Sequence, residues 1–146
     1  METHTANAQA AIQGMLENWT AAVRAQDLDG VMAHFAPEVV AFDAILQLQF
    51  KGVEAYRAHY AECLRAFPGT PIFDLHELAI VAEEHMAFAH FLVRCGAVDE
   101  SGKEDVGWTR GTVCCKKQEG EWRVVHEHFS APFDPETLNA IVNLTP

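Results

Sequence analysis

The segment from Trp108 to Phe133 constrains the fold most, because it predicts two long β-strands joined by a tight turn. Its sequence, WTRGTVCCKKQEGEWRVVHEHFSAPF, turns over at Gln118-Glu119-Gly120. Two strands joined by so short a turn must pair in an antiparallel manner. The chain is therefore expected to build an antiparallel sheet around this hairpin.

The strands of this hairpin carry side chains that are unusual for a sheet that only covers a core. Alternate residues of a strand point to the same face of a sheet. On the second strand, one face then carries Trp122, Val124, His126, His128 and Ser130, and the other carries Arg123, Val125, Glu127 and Phe129. On the first strand, one face carries Trp108, Arg110, Thr112 and Cys114. Imidazoles, a hydroxyl, a guanidinium and indoles on neighbouring strands predict the wall of a ligand pocket.

The residues before the hairpin predict three helices. Apolar residues at three- and four-residue spacing predict the first helix over about 7–25. Asp27 is a good N-cap for a short second helix, which has Phe35 on its apolar face and is ended by Pro37. A third helix is expected over about 53–67, before a proline- and glycine-rich stop.

Strands complete the predicted fold. Four further strands are expected over 39–42, 48–50, 72–81 and 85–98. Asp134-Pro135-Glu136 predicts the start of a short C-terminal helix through Ile141, because proline is favoured at the first helical position. Helices that come first and an antiparallel sheet that follows define an α+β fold. No repeat or linker interrupts the 146 residues, so a single domain over 1–146 is expected.

Charge and cysteine spacing restrict the possible partners. The formal net charge is −11, which makes nucleic acid and anionic membrane poor partners. No stretch approaches the roughly 18 consecutive apolar residues of a membrane span, and the opening METHTANAQA lacks the features of a signal peptide. The four cysteines form no CxxC pair, which favours reduced thiols in a cytoplasmic protein. The predicted partner is a small-molecule ligand.

Two motifs and the order of elements carry a family resemblance. The motifs are AQDLDGVMAHFAPEVVAFD near the start and WRVVHEHFSAP near the end. The chain resembles the nuclear transport factor 2-like superfamily, in its SnoaL-like and ketosteroid isomerase-like branch, and is also similar to the calcium/calmodulin-dependent protein kinase II association domain. The resemblance implies a cone-shaped cystatin-like fold, with three N-terminal helices packed on a strongly curved antiparallel sheet. It also implies a cavity open at one end and a homodimer through the sheet.

Asp43 is the residue to which the resemblance assigns a chemical role. In ketosteroid isomerase-like enzymes, a carboxylate at the end of the first strand is the general base, and Asp43 stands in that context. Asp43 could instead cap a turn or pair with an arginine. Trp19 stands where those enzymes carry the tyrosine that holds the developing oxyanion, and its indole N–H is a weaker donor.

A strand that begins near residue 85 adds side chains to the predicted pocket. One of its faces carries Met86, Phe88, His90, Leu92 and Arg94. If that face is concave, the cavity would be surrounded by His90, Arg94, Arg110, His126 and His128. An arginine in such a pocket would bind both oxygens of a carboxylate. The arginines could instead pair with acidic residues across strands, and the histidines could be hydrogen-bonded core or interface residues.

The remaining candidates are apolar walls and a metal site. The side chains expected to line the pocket or its mouth are Trp19, Tyr56, Phe88 and Trp108. His126, His128 and His90 could hold a metal ion as three imidazole ligands. The alternation turns Glu127 away from them, and the resemblance implies metal-free proteins, so neither a metal nor another cofactor is expected.

These residues predict two functions of different classes. The first is a cofactor-independent acid–base enzyme that isomerises, dehydrates or hydrolyses a small, partly apolar carbonyl or carboxylate compound. Asp43 would be the base, with His90 or His128 as the proton donor. Arg94 or Arg110 would orient the substrate. The second is a non-catalytic ligand-binding or oligomerisation domain in the manner of the kinase association domain.

Overall fold

The structure has the predicted α+β fold with a curved sheet, but the three helices do not all precede the strands, because β1 and β2 come before the third helix. A computed structural model describes residues 2–66 and 68–146, without the side chain of Glu2. Its elements in chain order are α1 (Glu2–Arg24), α2 (Leu28–Met32), β1 (Phe35–Phe42), β2 (Phe50–Lys51), α3 (Val53–Arg65), β3 (Thr70–Ala82), β4 (Met86–Val98), β5 (Glu104–Gln118) and β6 (Glu121–Ser130). Phe67, which was predicted to end the third helix, lies outside the described residues.

All six strands form one sheet, in the order β2-β1-β6-β5-β4-β3. Strands β3 to β6 form the predicted antiparallel meander, in which each strand pairs with the next along the chain. By contrast, β1 pairs with β6 in a parallel manner, with Phe42 opposite His128. The prediction of a purely antiparallel sheet was wrong at this pair. Parallel neighbours need a long connection, which α3 and the meander provide here.

The apolar stripe of α1 packs against the inner face of the sheet. Ile12, Leu16 and Trp19 are buried on this helix, which lies mainly along β3. On β4, the inner face carries the buried residues Ala87, Ala89, Phe91 and Val93. These side chains belong to the same buried cluster as the apolar residues of α1.

Two irregularities bend the sheet and determine which side chains point inwards. In β3, the pairing with β4 shifts beside Glu77, which has a φ of 53°. In β6, the pairing with β5 shifts between Cys114 and Cys115, and Val125 is left without an opposite residue. Bulges of this kind bend a strand and increase its twist. The sheet therefore curves around α1.

The second helix is shorter than predicted. Asp27 caps it as expected, because its side chain accepts a hydrogen bond from the Gly30 N–H at 3.1 Å. The helix stops after five residues, however, and both Phe35 and Pro37 belong to β1. Pro37 is tolerated there because the pairing of β1 with β6 is interrupted between Phe35 and Val40.

The C-terminal helix predicted over 134–141 does not form. The Leu138 N–H donates to the Asp134 carbonyl at 2.7 Å, which closes a single turn. Leu138 then adopts a φ of 60°, a value that a right-handed helix cannot continue. A bridge between Phe133 and Ala140 closes the segment as a loop.

Candidate functional site

A cavity of ≈ 200 Å³ opens between the end of α1, the helix α3 and the inner face of the sheet. Its apolar lining comes chiefly from Val23, Ile45, Leu64, Phe73, Val93 and Phe129. The side chains in its wall that carry polar groups are Asp43, His59, Tyr60, Cys63, Cys95 and Thr109. A concave, largely apolar space with a few convergent polar groups is the usual form of a small-molecule site.

Asp43 and His59 form a hydrogen-bonded carboxyl–imidazole pair in this wall. Asp43 follows the last residue of β1, and His59 lies in the middle of α3. His59 Nε2 forms a hydrogen bond with Asp43 Oδ2, and Asp43 Oδ1 accepts the Ala44 N–H at 2.7 Å. The side chains of His59 and Asp43 are 5% and 17% exposed. Two donors thus fix the carboxylate beside the cavity and leave it further acceptor positions.

Aromatic rings fix the orientation of His59. The Phe50 ring stacks on the imidazole with 4.2 Å between ring centroids. The Tyr56 ring lies almost parallel to the imidazole, at 6.1 Å. Because the imidazole is held between neighbours, it can hold the Asp43 carboxylate in one position.

Cys63 lies close to the same imidazole, but the geometry is not that of a catalytic triad. Its Sγ is 3.7 Å from His59 Nε2, the nitrogen that also contacts Asp43. In a triad, the nucleophile and the carboxylate contact opposite ring nitrogens. Burial, followed by the negative charge of Asp43, raises the pKa of the Cys63 thiol. A thiolate nucleophile is therefore disfavoured.

A second carboxyl group lies deeper in the protein. Glu127 is 1% exposed, and its Oε2 accepts a hydrogen bond from the Tyr56 hydroxyl. Burial raises the pKa of Glu127 to about 8, against the opposite effect of the Tyr56 hydrogen bond and with a smaller contribution from the charge of Asp43. Glu127 is therefore mostly protonated at neutral pH.

Tyr60 lines the cavity, and its hydroxyl lies within reach of Tyr56 and Trp19. Its ring packs edge-on against Tyr56 with 4.9 Å between centroids. Burial, followed by the negative charges of Glu127 and Asp43, raises the pKa of Tyr60 well above its ordinary value. The phenol consequently keeps its proton over the physiological range and can act as a hydrogen-bond donor.

Two of the predicted pocket residues lie behind the wall. Trp19 packs edge-on against Phe73 at 5.1 Å between centroids and also contacts Phe129 at 6.0 Å. Its buried Nε1 lies close to the Tyr60 hydroxyl, although the two groups do not have good hydrogen-bond geometry. Tyr56 is fully buried and packs against Phe35. Both residues support the cavity without lining it.

The structure places seven predicted residues on the outer face of the sheet, away from the cavity. They are Phe88, His90, Arg94, Trp108, Arg110, His126 and His128. The residues of β4 and β5 do share one face of the sheet, as the sequence predicts. This face is the outer one, however, and not the face that lines the cavity. On β6, the unpaired Val125 interrupts the alternation, so Trp122 and Val124 share the inner face with Glu127 and Phe129.

The outer residues instead make contacts across strands. Arg94 pairs with Glu104 at 2.5 Å and with Asp74 at 3.4 Å. Arg110 Nε donates to Ser130 Oγ at 3.1 Å. His126 Nδ1 lies 2.6 Å from the Val40 carbonyl oxygen, and His128 packs edge-on against Phe42. Arg94 and His126 thus make the alternative contacts that the sequence left open, whereas Arg110 contacts a hydroxyl group and not an acidic residue.

Among the described residues, no arginine or lysine lines the cavity. The arginine-lined carboxylate pocket predicted from the sequence is therefore not formed. The described part of the chain also contains no cluster of three His, Cys, Asp or Glu side chains suited to a metal ion. None of the helices described is long and apolar enough to cross a membrane.

Sequence reasoning missed His59 and placed Glu127 on the wrong face. A signal for His59 was present, because it follows Tyr56 by three residues and precedes Cys63 by four, which places all three on one side of a helix. The sequence also indicates which face of β4 points inwards, because one set of alternate residues is wholly apolar: Ala87, Ala89, Phe91 and Val93. The bulge that turns Glu127 inwards has no such sequence signal.

Comparisons with known proteins agree with this architecture. Residues 12–134 match the SnoaL-like domain family. An NTF2-like protein of unknown function from Pseudomonas putida is 44% identical, with a TM-score of 0.91 over 97% of this chain and 99% of that one. A nuclear transport factor 2 superfamily protein from Salmonella enterica is 18% identical, with a TM-score of 0.75 over 89% and 94%. No curated protein matches the chain.

A more distant relative has the same fold. A protein from Xanthomonas campestris, proposed to be a calcium/calmodulin-dependent protein kinase II association domain, is 19% identical, with a TM-score of 0.70 over 86% of each chain. At this identity the likeness concerns the fold alone. The match over residues 12–134 covers most of the sequence, so the chain belongs to the SnoaL-like domain family, within the NTF2-like fold.

Proposed function

We propose that the protein is a cofactor-independent enzyme that moves a proton next to the carbonyl group of a small, neutral compound. The observation that carries this proposal is the Asp43–His59 pair in the wall of an apolar cavity. A carboxylate that is shielded from water and fixed by two donors is suited to general-base catalysis. A cavity without an arginine or lysine side chain among the described residues favours a neutral substrate over a carboxylate.

The first step would be proton abstraction by Asp43. The C–H bond adjacent to the carbonyl breaks, its electron pair forms the carbon–carbon double bond of an enolate, and the proton passes to the Asp43 carboxylate. Tyr60, which remains protonated, would donate a hydrogen bond to the carbonyl oxygen as negative charge develops there. In a substrate with a β,γ carbon–carbon double bond, the enolate is conjugated with that bond, and return of the proton to the γ carbon would give the conjugated isomer and restore Asp43.

Deuterium exchange tests this step without knowledge of the natural substrate. In D₂O, the wild-type protein is expected to accelerate the exchange of the α-protons of cyclohexanone, followed by NMR. Asp43→Asn is expected to lower the protein-dependent rate by about 10²- to 10⁴-fold, the usual contribution of a general base. His90→Asn is the control, since His90 lies outside the cavity. Equal rates for wild type and Asp43→Asn, or no acceleration by wild type, would contradict the proposal.

The second candidate is a non-catalytic binding or oligomerisation domain, and the outer face of the sheet favours it. Phe42, Met86 and Phe88 are exposed there. A second copy of the chain is the partner we propose for this face, as a homodimer through the sheet. The two candidates differ in the deuterium-exchange experiment, because a binding domain would not accelerate exchange.

A further inference from the structure

We propose that Glu127 is a positioning residue of the candidate site. In its protonated form it starts a chain of hydrogen bonds, through Tyr56, that leaves the proton of Tyr60 free for the carbonyl group of the ligand. This inference rests on the proposed function, in which Tyr60 is the donor to that carbonyl group. It adds a buried carboxyl group that the proton transfer itself does not use.

A buried chain of polar side chains leads from the cavity to Glu127. Tyr60 lines the cavity, and its hydroxyl lies within reach of Tyr56. The Tyr56 hydroxyl in turn forms a hydrogen bond with Glu127 Oε2. Glu127 is 1% exposed and Tyr56 is fully buried, and buried polar groups of this kind find their partners within the protein. Tyr56 thus connects Tyr60 with Glu127.

The direction of these hydrogen bonds depends on the proton of Glu127. Each tyrosine hydroxyl has one proton to donate. An ionised Glu127 can only accept, so it holds the Tyr56 proton and leaves the Tyr56 oxygen as an acceptor for Tyr60. A protonated Glu127 can also donate, which allows the hydrogen bond to run from Glu127 to the Tyr56 oxygen. Tyr56 can then donate to Tyr60, and Tyr60 to a ligand.

Trp19 does not offer Tyr60 another acceptor. Its Nε1 lies close to the Tyr60 hydroxyl, but an indole N–H donates and cannot accept. When Glu127 is ionised, a carbonyl ligand must therefore compete with the Tyr56 oxygen for the proton of Tyr60. When Glu127 is protonated, this competition ends, and the donors of the chain strengthen one another.

The charges around Glu127 favour its protonated form. The structure describes ionisable neighbours on several elements around it: Tyr56 and Tyr60 on α3, Asp43 after β1, His34 before β1 and Cys115 on β5. Burial, followed by the positive charge of Arg123, lowers the pKa of His34, and burial raises the pKa of Cys115 to about 12. The neighbouring side chains of α1 are uncharged. Above neutral pH, none of these neighbours supplies a positive charge to an ionised Glu127.

Recognition of a carbonyl group should consequently weaken as the pH rises. Burial raises the pKa of Glu127 to about 8, so Glu127 is mostly protonated at about pH 7 and mostly ionised at about pH 9. The raised pKa values of Tyr56, Tyr60 and Cys115 keep these groups protonated over the same range. The hydrogen bond to the ligand is therefore favoured below pH 8 and weakened above it.

A pair of ligands of the same shape tests the inference. Cyclohexanone can accept a hydrogen bond, whereas methylenecyclohexane carries a CH₂ group in place of the oxygen and cannot. Their dissociation constants would be measured by NMR titration of the wild-type protein at about pH 7 and about pH 9. The affinity of cyclohexanone relative to methylenecyclohexane is expected to fall by about two- to tenfold at the higher pH, the usual value of one hydrogen bond.

Three variants separate this role from a structural one. Glu127→Gln carries an amide that can donate at both pH values, so its relative affinity should stay at the value of wild type at pH 7. Tyr56→Phe interrupts the chain and should have the lower relative affinity at both pH values. Glu100→Gln, in an exposed turn, is the control and should keep the pH dependence of wild type.

A relative affinity of wild type that does not change with pH would overturn the inference. The same holds if Glu127→Gln keeps the pH dependence of wild type, because another group would then be its source. Failure of the proposed function is distinguishable. Deuterium exchange with a pH-independent relative affinity would contradict only the role of Glu127, and the expected pH dependence without exchange would contradict only the enzyme. No binding of cyclohexanone at about pH 7 would contradict both.

Discussion

At the scale of single residues, Glu127 couples the stability of the fold to pH. Its pKa in the folded protein is about 8, against an ordinary value of 4.5. Between these values, the unfolded chain releases the proton while the folded protein keeps it. The contribution of Glu127 to stability is therefore complete below pH 4.5 and is lost as the pH rises through about 8, at up to about 1.4 kcal/mol per pH unit.

Glu127→Gln should remove this pH dependence, because an amide resembles the protonated carboxyl group and can still accept the hydrogen bond from Tyr56. The difference in melting temperature between Glu127→Gln and wild type is expected to rise in favour of the variant from pH 5 to pH 8.5. Glu100→Gln, in an exposed turn, is the matched control and should show no such trend. A constant difference for Glu127→Gln over this range would mean that Glu127 ionises as an ordinary carboxyl group.

At the scale of elements, the packing between neighbouring strands makes one glycine critical. Gly111 on β5 lies between Phe91 and Phe129, and a Cβ placed there would come within 2.4 Å of Phe91 Cε2 and 2.7 Å of Phe129 Cε1. Gly111→Ala is therefore expected to lower the free energy of unfolding by about 1–3 kcal/mol, as overpacking does. Urea denaturation would measure this loss.

The control for this prediction lies in α1. A Cβ added at Gly14 would meet no atom within 4 Å, and alanine is a better helix former than glycine. Gly14→Ala is expected to raise the free energy of unfolding by about 0.5–1 kcal/mol. If both variants changed stability by the same amount and in the same direction, the close packing around Gly111 would not be the cause.

The elements also show how far the sequence could predict the site. The strands β3 to β6 and their turns were predictable, because apolar and polar residues alternate between clear turn signals. The residues that share a face of β4 were predictable as well. The polar face of β4 was predicted to line the cavity, although the apolar side chains of the opposite face indicate that the opposite face is the inner one. The inward position of Glu127 depends on the bulge at Val125, which is a property of the pairing between β5 and β6 and not of either strand alone.

At the scale of the whole molecule, the net charge of −11 affects how two copies could meet. Phe88, Cys114 and His126 lie side by side across the outer face, and His90, Thr112, His128 and Phe42 form the next row. Neither row contains a carboxylate. A second acidic copy that approached through these two rows would therefore meet no carboxylate within them.

Phe88→Asp should convert the proposed homodimer into a monomer, because it places a carboxylate among the apolar side chains of both copies. Sedimentation velocity at micromolar concentration would measure the mass. Ala10→Asp, on the exposed side of α1, adds the same charge elsewhere and should leave the dimer intact. A monomeric wild type, or a dimeric Phe88→Asp variant, would contradict the homodimer.

The parallel pairing of β1 with β6 has a consequence for the order in which the protein folds. Phe42, the residue before the candidate base Asp43, pairs with His128 of β6. These two residues are more than eighty positions apart in the chain. Contacts between residues so distant in sequence form slowly, since a long loop must close first. During synthesis, α1, β1 and α3 leave the ribosome before their β6 partner exists. The cavity and Asp43 would therefore reach their final arrangement only when the last strand joins the sheet.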